Sequence, residues 1–391
     1  MTTDARHLKG NWNYPTRVWF GCGRIKEMSV ACTELKIKKP LLVTDQGLVA
    51  LDMVKTQLAD LQSAGLMVNV YSDVKPNPTG KNVDDGVKMY KAGGHDGVIA
   101  FGGGSSLDAG KAIALMAGQD RPLWDFEDVG DNWTRVKTTG VAPVIAVPTT
   151  AGTGSEVGRA SVIHDVDAVL KKIIFHPLML PRVVIADPEL TVGLNARITA
   201  ATGMDALSHN LEALCAPGYH PQAEGIAIEG MRLVKDHLVT AVKNPNDLVA
   251  RSQMLSASLM GATAFQKGLG GMHALAHPLG ATYDAHHGLL NAILMPYVLK
   301  YNADVIEQPM QRLANVLELQ NKSVQGVVDW VLQLRKDIGI PHSLKEINID
   351  DSRLSEIAKK AVEDPSNGGN PKSMQSRDYE IVLNDAINGR L

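Results

Sequence analysis

The sequence predicts an α/β domain with a parallel sheet over residues 1–192, followed by an all-helical domain over residues 193–391. Three observations lead there. Short β-rich runs alternate with helical periodicity through the first half, the order that builds a parallel sheet with helices between its strands. Those runs are apolar throughout rather than at every second residue, as expected of strands covered on both faces. After Asp187-Pro188 almost no strand-like run remains, and long segments of helical periodicity take over.

In chain order, the run "PLLVTD" (40–45) reads as the first clear strand, followed by a helical pattern over 51–64. A second strand is expected over 66–74, broken by "PNPTGK", a cluster of turn formers. Residues 82–92 read as a helix, and "DGVIAFGGG" (96–104) as a strand ending in glycines. A helix over 105–118 follows, then strands over 142–150 and 182–188. In the second half, helices are expected over 198–215, 222–242, 246–266, 324–338 and 351–363.

Composition narrows the function classes. Apolar residues make up 45% of the 391 residues and charged residues 21%, which suits a globular protein with a sizeable core. The net charge is −3 and no long basic run occurs, so neither nucleic acid nor an anionic membrane surface is an expected partner. The first twenty residues lack an apolar core and do not read as a signal peptide. The apolar segment 288–299 falls short of the about 18 residues needed to cross a bilayer. Cys22, Cys32 and Cys215 show no metal or redox spacing, as expected of reduced thiols in a cytoplasm.

Two loops point to a ligand. "FGGGSSLDAGK" (101–111) joins an expected strand to an expected helix. Its glycines let the backbone come close to a ligand, and the helix N-terminus would attract a phosphate. A tight turn with no ligand explains the glycines equally well. "PTTAGTGSE" (148–156) follows another strand end, and strand carboxyl ends are where open α/β sheets bind ligands. Two such loops in one sheet favour nucleotide binding. Asp45 ends the first clear strand. It suits either a turn cap or a hydrogen-bond acceptor for a ribose 2′-hydroxyl, a position that would repel a 2′-phosphate.

The second half gathers imidazoles. Asp205 and His209 are four apart, as are His273 and His277, and His286 and His287 are adjacent. Residues i and i+4 share a helix face. Glu212 extends the polar stripe of Asp205 and His209, opposite Leu207, Leu211 and Leu214. By itself that stripe reads as a solvated face; for the histidines by themselves, satisfied core or interface residues are the lesser alternative to a metal site. Together, one carboxylate and several imidazoles make a candidate shell for Fe(II) or Zn(II). Histidines 7, 95, 164, 176, 220, 237 and 342 are isolated and read as surface or structural.

The motifs "GGGSSLDAGK", "PTTAGTGSE", "DPELT", "TGMDALSHNLEA" and "HALAHPLGATYDAHHGLLNA", in this order, resemble the iron-containing (group III) alcohol dehydrogenases. The resemblance runs from about residue 15 almost to the C-terminus. It implies a dinucleotide-binding α/β domain, an all-helical metal-binding domain and the architecture shared with dehydroquinate synthase. It implies Asp205, His209, His273 and His287 as metal ligands, for Fe(II) with Zn(II) or another divalent metal as alternatives. His286 stands where the family often has proline; Gly288 and the spacing of fourteen from His273 select His287. His277 matches a histidine thought to assist proton transfer. Gly102, Gly103, Gly104 and Ser105 match the pyrophosphate loop, and Thr149, Thr150, Thr153 and Ser155 the second cofactor loop. Lys171 and Leu190 match positions near the cofactor ribose, and Asp45 the position that favours NAD over NADP.

The expected activity is hydride transfer between a nicotinamide cofactor and a small primary alcohol or aldehyde. The resemblance also implies a homodimer or higher homo-oligomer, with the run "TRVWFG" (16–21) offering an edge strand. Rival readings are polyol oxidation of the glycerol dehydrogenase kind, a lyase of the dehydroquinate synthase kind, and a non-catalytic metal- or nucleotide-binding protein. The lyase would need a basic cluster for a phosphorylated, carboxylated substrate, and the ligand segments show none. Steady NADH oxidation with an aldehyde separates an enzyme from a binding protein. The loop-like segment 364–378 is expected to border the site.

Overall fold

A computed structural model describes residues 16–391; the signal-peptide reading and His7 lie outside them. By packing, the chain divides into two compact units. One comprises the described residues up to Thr150 together with Gly154–Gly193, the other Ala151–Thr153 together with Leu194–Leu391.

The first unit is α/β. Its elements are β1 (Val18–Phe20), α1 (Met28–Glu34), β2 (Pro40–Asp45), α2 (Gln46–Val49), α3 (Asp52–Ser63), β3 (Asn69–Val74), α4 (Gly80–Gly93), β4 (Gly97–Gly102), α5 (Gly104–Met116), β5 (Val144–Pro148), β6 (Ala160–Asp165), β7 (Leu170–Phe175) and β8 (Val183–Ala186). Six strands form one parallel sheet in the order β1-β8-β5-β4-β2-β3. Every residue of β4 is buried, as are the first five of β2. This explains the unbroken apolar runs: Leu42, Ile99, Phe101, Ile145, Val147, Val183 and Ile185 share one core with Met28, Ala31 and Cys32 of α1 and Val54 and Leu61 of α3. Burial pushes the Cys32 thiol up to about 12, so it is an inert core group.

The chain leaves β2 towards β3 on one side and returns to β4 on the other. The carboxyl ends of β2 and β4 therefore flank the point where the winding direction reverses, which is where such sheets open a ligand crevice. Helix α4 begins two residues before the expected 82 because Thr79 and Asn82 form a reciprocal cap, Asn82 Oδ1 accepting from the Thr79 N–H at 2.9 Å.

The sequence reading has no strand between 150 and 182, yet β6 and β7 pair antiparallel there. In β6 only Ser161, Ile163 and Asp165 are buried. Polar residues fall on both faces of β6, Ser161 and Asp165 on the buried one and His164 on the other, so no apolar run marks the strand. Asp165 is anchored by Lys172 of β7 at 2.9 Å.

The second unit is helical: α6 (Ala196–Cys215), α7 (Pro221–Lys243), α8 (Leu248–Ala264), α9 (Gly271–Tyr283), α10 (His287–Tyr301), α11 (Glu307–Val316), α12 (Val324–Asp337), α13 (Leu354–Glu363) and α14 (Ser376–Asn388). Helix α6 is its axis. Asn195 caps it through the Ile198 N–H at 2.9 Å, and residues 199–214 are all buried. Helices α7, α8 and α10 pack around it. At Gly288 a Cβ would stand 2.4 Å from the Ala201 carbonyl oxygen and 2.9 Å from Asp205 Cβ. Only glycine lets the start of α10 approach α6 this closely, and that approach carries His287 to Asp205.

Candidate functional site

Asp205, His209, His273 and His287 each offer one ligand atom, and the four atoms lie within 4.8 Å of one another. The first two come from successive turns of α6, the third from the first turn of α9 and the fourth from the first residue of α10. Asp205, His209 and His273 are buried, so the stripe of α6 that read as solvated is interior. The imidazoles of His209 and His273 stack with centroids 4.8 Å apart. Desolvation lowers the His209 pKa to about 4, so its ring is neutral and keeps a lone pair for coordination at neutral pH. One carboxylate oxygen and three imidazole nitrogens at this spacing fit a borderline divalent cation such as Fe(II) or Zn(II).

Two groups that sequence reasoning left without a role organise the cluster. Glu212, one turn beyond His209, accepts from His273 Nδ1 at 2.7 Å. Its carboxylate also accepts from the N–H groups of Gly270 and Met272, each at 2.7 Å, so it caps α9 from outside the helix. Burial opposes a charge on His273, but the Glu212 contact outweighs it and raises the pKa. A carboxylate on Nδ1 directs the opposite nitrogen, Nε2, into the cluster. A cation coordinated there would displace any proton on Nε2.

Asn291 is the second group. Its Nδ2 lies 3.0 Å from Asp205 Oδ1 and 3.1 Å from Nε2 of both His273 and His287. The spacing of four from His287 was the available signal for Asn291, as the spacing of three from His209 was for Glu212.

The remaining histidines of the segment separate. His286 caps α10, its Nδ1 accepting from the Leu289 N–H, while His287 joins the cluster. His277 lies one turn beyond His273, its ring stacked on His287 at 5.4 Å. Its Nδ1 is 2.8 Å from Asp364 Oδ2. Burial works against the Asp364 charge, but His277 and the Ser366 N–H prevail and hold its pKa below the ordinary value.

In the α/β unit, Asp45 Oδ1 accepts from the Gly47 and Leu48 N–H groups, and Ser106 Oγ lies 3.4 Å from its Oδ2. Asp45 is thus the cap of α2, with its second oxygen turned towards Ser106. Gly102 has φ of +149°, open to glycine alone. Gly103 is the N-cap of α5 and supplies no side chain to the first-turn amides of Gly104, Ser105 and Ser106. Ser105 Oγ donates to the Pro76 carbonyl. The Thr149 N–H donates to the Gly102 carbonyl at 3.0 Å, joining the two loops, and Thr150 lies beside Gly103. Thr153 packs with the helical unit. Lys171 stands in β7 opposite His164, and Leu190 is in the α/β core.

Ser155 Oγ donates to Asp108 Oδ1 at 2.5 Å, within a buried network under the loop. Lys111 Nζ, fully enclosed, donates to the Ser155 and Ala160 carbonyls and lies 3.3 Å from Asp108. Glu156 is 1% exposed, and desolvation raises its pKa from 4.5 to about 7. Between those values the unfolded chain ionises while the folded one keeps its proton, so stability falls as pH rises. Glu156→Gln is expected to flatten the stability profile between pH 4.5 and 7, removing a slope of the order of 3 kcal/mol in total. Urea melts at several pH values would check it, and an unchanged slope would refute it.

A parallel α/β sheet with a glycine loop at its switch point and a helical unit with a carboxylate–imidazole cluster are the two components that a metal-dependent dehydrogenase requires. Comparisons with known proteins narrow the class. Residues 15–188 match the family model described as iron-containing alcohol dehydrogenase, and residues 199–387 the model of the C-terminal part of the same family. The chain is 38% identical to the 4-hydroxybutyrate dehydrogenase of Cupriavidus necator, covering 96% of this chain and 99% of the relative. A solved 1,3-propanediol oxidoreductase superposes with a TM-score of 0.92 at 33% identity, over 96% of this chain and 99% of that one. A sulfoacetaldehyde reductase from Bifidobacterium kashiwanohense, solved with NAD+, superposes with a TM-score of 0.86 at 29% identity, over 97% and 99%. This chain belongs to the iron-containing alcohol dehydrogenase family and is an oxidoreductase acting on CH–OH groups.

Proposed function

We propose that the chain interconverts a short primary alcohol and its aldehyde using NAD and one divalent cation, Fe(II) by preference. Asp205, His209, His273 and His287 hold the cation. The observation that carries this reading is the convergence of their four ligand atoms within 4.8 Å, in a chain of this family. When bound, the cation polarises the substrate oxygen and the nicotinamide gives or takes the hydride. The chain's own residues do the rest. The glycine loop 102–105, with Thr149, Thr150, Thr153 and Ser155, receives the cofactor phosphates and nicotinamide end, and Lys171 and Leu190 border its ribose. Glu212 orients His273. His277 exchanges the substrate proton at Nε2.

The relatives named for 4-hydroxybutyrate and sulfoacetaldehyde carry an acidic group at the far end of the substrate. This puts ω-carboxy and sulfonated aldehydes on the test panel beside unsubstituted ones. Metal analysis of the purified protein, with NADH and NADPH oxidation across that panel, is the deciding experiment. Stoichiometric cofactor binding without turnover would overturn the reading. Asp45→Ser keeps a capping oxygen and removes the charge. It is expected to lower KM for NADPH by about tenfold, the effect of relieving one repulsive pair near the surface. An unchanged NADH/NADPH ratio would exclude Asp45 as the selector.

We place the protein in the cytoplasm as a homodimer or higher homo-oligomer. Among the described residues no helix is long and apolar enough to cross a membrane. Strand β1 is a sheet edge whose Val18 and Phe20 are exposed.

A further inference from the structure

Helix α9 is held by the segment following α13 at two points. At its start, the Gly271 N–H donates to Asn370 Oδ1 at 3.1 Å, and Asn370 is itself paired with Asn302 through two bonds of 2.9 Å. Two turns on, His277 Nδ1 meets Asp364 Oδ2 at 2.8 Å, with both side chains less than a tenth exposed. Between these points the chain makes a short turn, Pro365–Gly369, which Asp364 caps through the Ser366 N–H at 2.8 Å. Tyr379 holds the same turn by donating to Asn367 Oδ1 at 2.8 Å. Both Asp364 oxygens are thus engaged, one by the backbone and one by the imidazole, and the carboxylate cannot turn without losing a bond.

We propose that Asp364 is a positioning residue for the alcohol–aldehyde reaction: it fixes the ring of His277 with Nδ1 as donor, so that Nε2 is the nitrogen presented for proton exchange. An ionised carboxylate only accepts, so the nitrogen facing it must carry hydrogen. In the neutral imidazole the other nitrogen then bears the lone pair. The contact also helps to set the rotation of the ring about its bond to Cβ, together with its stacking on His287. The inference rests on the reading of His277 as the proton-exchanging group.

The test is a double-mutant cycle in the metal-loaded enzyme with a substrate that the wild type turns over. Asp364→Asn keeps the shape but can offer an amide N–H to Nδ1, which favours the wrong tautomer. It is expected to lower kcat between about ten- and a thousandfold, within the range that positioned proton transfer contributes. Metal content and KM for NAD are expected to stay within about twofold, because the substitution keeps an oxygen to accept the Ser366 N–H and reaches the reaction only through His277. In a His277→Ala background the same substitution is expected to cost nothing further. An undiminished kcat in D364N, or an equal loss in both backgrounds, would overturn the positioning role. Full activity in H277A would instead overturn the reading of His277. If D364N does not fold, D364E, which keeps the charge and displaces it by one methylene, is compared in the same two backgrounds with the same criteria.

Discussion

Asp205→Ala is expected to strip the protein of its metal and, with it, of activity. The purified variant should hold less than about a tenth of the wild-type metal, and kcat/KM should fall by at least about a thousandfold, the scale on which a Lewis acid stabilises developing charge. Asp205 is the one carboxylate among the four proposed ligands. His209 is neutral, and His273 receives its negative partner only at second hand through Glu212. Without Asp205 the cation would face imidazoles alone, in a buried site with little water to offset its charge. The variant also deprives Asn291 of its carboxylate acceptor, 3.0 Å away. Metal analysis gives the first readout. The thermal shift on adding Fe(II) or Zn(II) gives the second: wild-type protein should gain stability with metal concentration and the variant should not. Stoichiometric metal retained by the variant would sink the ligand assignment.

The legible part of the chain was the part governed by local pattern. Strands β2, β4, β5 and β8 announce themselves because both faces of the sheet are covered, which leaves no polar positions to interrupt them. The glycine loop is visible because φ of +149° at Gly102 and the bare cap at Gly103 demand glycine. Spacing of four placed Asp205 beside His209 and His273 beside His277. What covers a helix face is not a local property. The stripe of Asp205, His209 and Glu212 has the same spacing whether it meets water or another helix, and only the packing of α9 and α10 against it decides. Asp364 reaches His277 across 87 residues, from the loop-like segment expected to border the site, whose composition singles out no one residue for that contact. The adjacent pair His286 and His287 differs only in where α10 begins: the residue before the first turn caps, and the next one faces the cluster. Strands β6 and β7 were missed because their residues are chosen for each other, Lys172 against Asp165, rather than for a common core.

Glu212 sets up the second large effect, because one carboxylate serves three buried donors. Glu212→Ala would leave the Gly270 and Met272 N–H groups without an acceptor at the entrance to α9 and would release His273. The expected loss of stability is about 3–5 kcal/mol, the cost of breaking a buried charged contact, read as a lowered urea midpoint. Glu212→Gln separates this structural cost from the chemical one. The glutamine amide has one accepting oxygen where the carboxylate has two, so it can satisfy Met272 or Gly270 but not both together with His273. If its NH2 faces His273, Nδ1 must become the acceptor, and the hydrogen moves to Nε2, the nitrogen turned towards the cluster. A protonated Nε2 has no lone pair for a cation. Metal affinity in Glu212→Gln is therefore expected to fall at least ten- to a hundredfold, about the cost of losing an orienting partner of a ligand histidine, while the urea midpoint falls less than in Glu212→Ala. Competition with a chelator of known affinity measures the first quantity and denaturant melts of the metal-free protein the second. Equal metal affinity in wild type and Glu212→Gln would show that His273 is oriented by its packing alone.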